Sequence, residues 1–223
     1  MAAPAAFLFD MDGLLLDSER VYLQQALILL EPTGRSRDDI HSFFLTMVGC
    51  SGAESLARLT AYLGDATAAE TFNANWHKNV AASLEQGVAL RPTVRRTLAA
   101  LAELGARMSV VTSTHGHRAR QHLGDAGLLS FFEMVTGGDE VSHTKPHPAP
   151  YLEMAAAMGV DPSACAAFED SDRGITSAMV AGCRGVQIPD MRPVDLPLPD
   201  LGQGVAPDLW QAVRQVDGRL GAA

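Results

Sequence analysis

The run Ala6-Phe7-Leu8-Phe9 ends abruptly in Asp10-Met11-Asp12-Gly13, and this junction constrains the fold more than any other stretch. A short, bounded apolar segment predicts a strand over 5–9, buried on both faces of a parallel sheet, because such a strand has no solvent face to alternate with. Gly13 permits the backbone to turn directly after it. Two carboxylates then stand at the carboxyl end of a strand, the edge at which open α/β sheets bind ligands. Asp also caps turns by accepting backbone N–H groups, so this segment alone leaves both readings open.

From Glu19 the apolar spacing becomes helical, with Val21, Tyr22, Leu23, Ala26, Leu27 and Leu30 forming a face that stops near Pro32-Thr33-Gly34. Further helices are predicted over 37–47, 53–63 and 68–84, and no convincing strand occurs before about Gly87. After Arg91-Pro92-Thr93 helices and strands alternate. A helix with the stripe Val94, Leu98, Leu101 and Leu104 precedes a strand over 108–111. A helix over 116–126, a strand over 134–136 and a helix over 149–158 come next, followed by a strand over 165–168, a helix over 175–181 and a strand over 185–188. Residues 189–199 read as a surface loop, and a last helix is expected over 209–220. Such alternation belongs to α/β proteins with a largely parallel sheet.

Chemistry-bearing residues collect where the apolar strands stop. The strand over 108–111 meets Thr112-Ser113-Thr114, and hydroxyls there often only satisfy loop backbone. Lys145 lies in the proline-stiffened stretch Thr144-Lys145-Pro146-His147-Pro148; an isolated lysine is ordinarily a solvated charge. The strand over 165–168 runs into Glu169-Asp170 and then Ser171-Asp172-Arg173-Gly174. Adjacent acids at a helix N-terminus serve as caps and dipole partners, yet with Asp10 they also suggest a magnesium site, since Mg²⁺ prefers hard oxygen ligands and few carboxylates. The pairs His115/His117 and His143/His147 lack a third ligand and read as loop histidines.

Taken together, Asp10-x-Asp12-Gly13, Thr112, Lys145-Pro-x-Pro148 and Glu169-Asp170-Ser171-x-x-Gly174 resemble the four ordered motifs of the haloacid dehalogenase superfamily. The resemblance implies a Rossmann-like, mostly parallel core over 1–17 and 90–223, with an inserted all-helical cap over 18–89 that in the superfamily closes over the site and selects substrates. It implies a Mg²⁺-dependent phosphatase in which Asp10 is the nucleophile that becomes an aspartyl-phosphate. Asp12, initially protonated, would act as acid on the leaving alkoxide and then as base towards water. Thr112 and the amide of Ser113 would hold phosphoryl oxygens, and Lys145 would neutralise the nucleophile and the phosphoryl group. Asp10, the Asp12 carbonyl and Asp170 would hold the metal, with Glu169 binding directly or through water.

Length and cap placement resemble the subgroup of β-phosphoglucomutase and small sugar-phosphate phosphatases. A phosphomutase and a non-catalytic phosphometabolite-binding protein are the alternatives, and the intact motif residues argue against the second. β-Phosphoglucomutase carries Gly-x-Ser-Arg in its cap, with the arginine holding the phosphate not undergoing transfer. The corresponding stretch here is Gly49-Cys50-Ser51-Gly52, with Arg58 or Lys78 as the cations that could substitute.

Composition narrows the partners. Seventeen Lys and Arg against 26 Asp and Glu give a net charge of −9, which offers no electrostatic footprint for nucleic acid or an anionic membrane. A phosphate site must therefore be local, built from a cation, a lysine and backbone amides. The three cysteines are too scattered for a disulfide framework, and no targeting or membrane-spanning segment is evident, so a reducing cytoplasmic setting is expected. The expected partner is a small phosphorylated metabolite, with the protein a monomer or weak dimer.

Overall fold

The computed structural model describes residues 2–48, 50, 52–193 and 195–220, and divides the chain into two compact units. One comprises Met1–Asp17, Ala89–Asp190 and Leu198–Ala223; the other comprises Ser18–Val88 and Met191–Pro197. Met191–Pro197 thus groups with the helical unit, not with the continuous 90–223 expected, and Met191 packs on that unit's apolar core. In the stretch Gly49-Cys50-Ser51-Gly52, Gly49 and Ser51 lie outside the described residues.

The second unit is built from α1 (Ser18–Leu30), α2 (Arg37–Met47), α3 (Gly52–Leu63) and α4 (Ala66–Leu84). Its helices start where caps dictate. Ser36 accepts from the Asp39 amide at 3.2 Å, and Asp65 accepts from the Ala68 amide at 2.6 Å, which starts α4 two residues before the expected Ala68. Leu27, Leu30, Ile40, Phe44, Leu59 and Trp76 form the core, and the Trp76 indole donates to the Tyr22 carbonyl at 2.8 Å.

The first unit carries β1 (Ala6–Phe9), β2 (Met108–Val111), β3 (Met134–Thr136), β4 (Cys165–Glu169), β5 (Arg184–Gln187) and β6 (Gly204–Val205). All pairings are parallel, in the order β3-β2-β1-β4-β5-β6. Parallel neighbours need crossovers, which here contain α5 (Val94–Glu103), α6 (Gly116–Asp125), α7 (Ala149–Ala157) and α8 (Asp172–Val180), and α9 (Leu209–Val216) follows β6. Ala6, Leu8, Val111 and Ala167 pack with Tyr151, Met154 and Ala155 of α7 and Ala178 of α8. Alternate residues turn the other way, where Phe168 stacks on Phe7 and on Phe9 with ring centroids 6.3 and 5.1 Å apart. Strand β1 is therefore central, and the chain winds away from it in both directions. That reversal between β1 and β4 opens a crevice at their carboxyl ends.

Two helix ends and one strand depart furthest from the sequence reading. Helix α8 starts at Asp172, not Ile175, because the Ser171 hydroxyl caps it by accepting from the Gly174 amide at 3.0 Å. Helix α9 stops at Val216, not Leu220, where Asp217 turns its carboxylate onto the Arg219 amide and guanidinium. Strand β6 was not expected; it is two residues long, and its place is set by pairing with Val186 and Gln187. Among the described residues no helix is long and apolar enough to cross a membrane.

Candidate active site

The carboxyl ends of β1, β2 and β4 bring the motif residues to one place. The Asp10 amide donates to the Phe168 carbonyl at 3.0 Å, so β4 holds the first residue beyond β1. Gly13 takes φ 76°, a left-handed conformation that lets the chain turn back, and the Leu15 and Leu16 amides close the turn on the Met11 carbonyl. Thr112 is fixed from the other side, its amide donating to the Thr136 carbonyl at 3.0 Å.

Lys145 organises the centre. Its Nζ donates to Asp10 Oδ1 at 2.6 Å, to Glu169 Oε1 at 2.6 Å and to the Val111 carbonyl at 2.7 Å, using all three ammonium donors. The lysine is 6% exposed, Asp10 7% and Glu169 0%, so this is a buried charge cluster, not a surface ion pair. Burial alone would lower the lysine pKa, but the Asp10 and Glu169 carboxylates outweigh it and raise it, so the ammonium stays charged. Burial likewise pushes Asp10 well above the usual carboxylate range; Lys145 opposes the shift while Glu169 and Asp12 add to it. The Tyr151 hydroxyl donates to Glu169 Oε1 at 2.5 Å, and burial with the nearby Glu169 charge keeps the phenol protonated.

Asp12 stands beside this cluster and is held by hydroxyls. Thr114 Oγ1 donates to Asp12 Oδ2 at 2.7 Å, whereas Thr112 Oγ1 lies 3.5 Å from the same oxygen. Ser113, between them, is exposed. Asp10, Asp12, Thr112, Lys145, Glu169 and Asp170 therefore gather at one sheet edge. Sequence reasoning did not assign roles to Thr114, Tyr151 or Arg173, whose Nη2 donates to the Lys145 carbonyl at 2.7 Å. Only Thr114 had a visible signal, a third hydroxyl after β2.

Carboxylate oxygens of Asp10, Glu169 and Asp170 lie within 4.8 Å of one another, and all three residues are buried. Three buried acids converge on one ammonium, and hard oxygen donors suit Mg²⁺, so the residues fit a divalent cation. Glu169 fits least directly, since its Oε1 already serves Lys145 and Tyr151. Among the described residues neither histidine pair enters such a group; the His143 and His147 rings stack at 4.3 Å.

Residues 7–188 match the family model described as haloacid dehalogenase-like hydrolase. The chain belongs to that family. Protein CbbY of Rhodobacter capsulatus is 32% identical over 216 residues, covering 88% of this chain and 93% of the relative. The phosphorylated carbohydrates phosphatase of Thermotoga maritima is 29% identical over 178 residues, covering 79% and 81%. Among solved structures, a haloacid dehalogenase family hydrolase of Deinococcus radiodurans R1 with bound phosphate and sodium shares the fold at a TM-score of 0.74 and 24% identity, covering 99% of this chain and 98% of that one. The chain is accordingly an enzyme, a haloacid dehalogenase-like phosphoric monoester hydrolase.

Proposed function

We propose that this enzyme is a Mg²⁺-dependent phosphatase of small, sugar-phosphate-like phosphomonoesters in a cytoplasmic setting, acting through an aspartyl-phosphate on Asp10. The observation that carries the reading is the Asp10–Lys145–Glu169 cluster at the sheet edge, with Asp12 beside it. Asp10 attacks phosphorus and Asp12 protonates the leaving alkoxide; Asp12 then takes a proton from the water that hydrolyses the aspartyl-phosphate. Lys145 holds Asp10 in place and offsets charge on the transferring group, so it contributes positioning and electrostatics. Thr112 and the Ser113 amide are assigned to phosphoryl oxygens.

Asp10, Asp170 and the Asp12 carbonyl would hold Mg²⁺, with Glu169 reaching it through water. The ion, when bound, supplies positive charge beside the phosphoryl oxygens. Names of the relatives, among them a phosphorylated carbohydrates phosphatase and a fructose-1-phosphate phosphatase of Escherichia coli, support the substrate class. Hydrolysis is favoured over mutase chemistry because Gly52 stands where β-phosphoglucomutase has its arginine. Arg58 is also engaged elsewhere, donating to the Thr46 carbonyl at 2.7 Å and to Glu54 at 3.2 Å.

A panel of phosphorylated sugars, assayed for inorganic phosphate with Mg²⁺, tests the activity, and mass spectrometry of acid-quenched turnover tests the intermediate. Phosphate release with a phosphoryl adduct on the Asp10 peptide is expected. Conversion of β-glucose 1-phosphate to glucose 6-phosphate without phosphate release refutes hydrolysis, and an unmodified Asp10 peptide refutes the intermediate.

A further inference from the structure

We infer that Thr114 is a positioning residue that fixes the orientation of the Asp12 carboxyl group. The inference rests on the proposed acid and base role of Asp12. The end torsion of an aspartate is broad, so the direction in which its oxygens face is set by whatever holds one of them. Thr114 Oγ1 lies 2.7 Å from Asp12 Oδ2 and donates to it, so one oxygen of the group is held by the loop after β2. Thr112 cannot do this equally well. It lies 3.5 Å from Oδ2, and its hydroxyl oxygen accepts the Thr114 amide at 3.1 Å.

The segment around Thr114 is held from behind, which is what a positioning role needs. The Gly138 amide donates to the Thr114 carbonyl at 2.9 Å, and Asp139 Oδ1 accepts the Gly116 amide at 2.8 Å. Gly137 and Gly138 lie flush against this loop. A Cβ on Gly138 would stand 2.4 Å from the Ser113 carbonyl oxygen, and one on Gly137 would stand 2.7 Å from that of Thr114. Glu140 accepts the Gly137 amide at 2.9 Å and is paired with Arg120, so the backing loop is itself anchored.

In the first half-reaction the Asp10–phosphorus bond forms as the phosphorus–oxygen bond of the ester breaks, and a proton passes from Asp12 to the leaving oxygen. In the second, a water oxygen attacks phosphorus, its proton returns to Asp12, and Asp10 leaves as carboxylate with inorganic phosphate released. Rotating the Asp12 carboxyl away from this alignment therefore harms substrates whose alkoxide must be protonated, and spares those whose leaving group departs as a stable anion.

The test compares kcat/KM for the best sugar phosphate with that for p-nitrophenyl phosphate, whose phenolate leaves without a proton. Thr114→Val should lower the first about 10- to 100-fold, part of what a general acid contributes, and the second far less. Thr114→Ser should restore the sugar phosphate rate, and Thr114→Ala serves in place of the valine variant if that one does not fold. Equal losses on both substrates, no loss on either, or no rescue by serine overturns the inference. Asp12→Asn is run alongside. If it shows the substrate split and Thr114→Val does not, the inference alone fails; if Asp12→Asn shows no split, the acid role of Asp12 fails and the inference falls with it.

Discussion

Gly174→Ala should unfold this protein more easily, although alanine is the better helix former. A Cβ built on Gly174 lies 1.8 Å from Glu169 Oε2 and 2.1 Å from its Cδ, so the carboxylate must retreat beyond about 3 Å. The end of a glutamate normally swings aside at little cost. Here it is 0% exposed, with Oε1 fixed by Lys145 Nζ at 2.6 Å and by the Tyr151 hydroxyl at 2.5 Å. Losing two charge-assisted bonds costs about 3–6 kcal/mol at roughly 1.5–3 each. Replacing a helical glycine returns about 1 kcal/mol, leaving a net loss of about 2–5 kcal/mol. Gly124→Ala in α6 is the matched control: nothing lies within 4 Å of its Cβ position, and it should gain up to about 1 kcal/mol. Urea unfolding of the metal-free proteins measures both. A Gly174→Ala midpoint at or above wild type, or an equal loss in Gly124→Ala, would refute the reasoning. The variant should also lose activity, because Lys145 loses one of the two carboxylates that hold it.

Asp10→Asn should lower kcat by about 10³-fold or more while retaining a cooperative unfolding transition, because it removes the assigned nucleophile and keeps the size; substantial residual turnover contradicts that role. Chelation by EDTA should abolish activity reversibly, and Asp170→Ala should weaken the Mg²⁺ requirement's half-saturation by at least about tenfold; full activity in EDTA refutes the metal site. In EDTA the pH dependence of stability has a definite sign. Asp10 has a folded pKa raised above its unfolded one, so its contribution is fully present below the usual carboxylate pKa of about 4 and is lost as pH rises through the raised value. Metal-free wild type should therefore lose stability relative to Asp10→Asn as pH rises from about 4 towards neutrality, and parallel urea midpoints across that range would show the reasoning wrong.

Strands β1, β2 and β4 were legible because each is buried on both faces and so reads as an unbroken apolar run. Strand β6 was not, since two residues carry no periodicity and its register comes from β5. Helix α8 was placed late for a different reason: Gly174 reads as a breaker, and the signal that overrides it is the Ser171 side chain three residues earlier. Met191–Pro197 was read as loop, and the grouping of this segment with the helical unit depends on long-range packing that a local reading does not contain.

The motif order grouped Asp10, Lys145, Glu169 and Asp170, which lie together in the structure, and it already gave Glu169 a direct or water-mediated place beside Asp170, but it did not show what else Glu169 would bind. Successive side chains at a strand end point to opposite faces, so two neighbouring letters meet different surroundings. Glu169 is the last residue of β4 and turns towards Tyr151 of α7, where it is fully buried and binds Lys145. Tyr151 itself reads as an ordinary core residue of an apolar helix, six positions beyond the lysine, and nothing in its spacing announces a partner. Once both are placed, the division of labour is a matter of available lone pairs. A carboxylate whose Oε1 already accepts from an ammonium and a phenol has little left there for a cation, whereas the three donors of Lys145 go to Asp10, the Val111 carbonyl and Glu169. Glu169→Gln should therefore disturb Lys145, and with it turnover, more than it disturbs Mg²⁺ affinity, and Asp170→Asn should do the reverse.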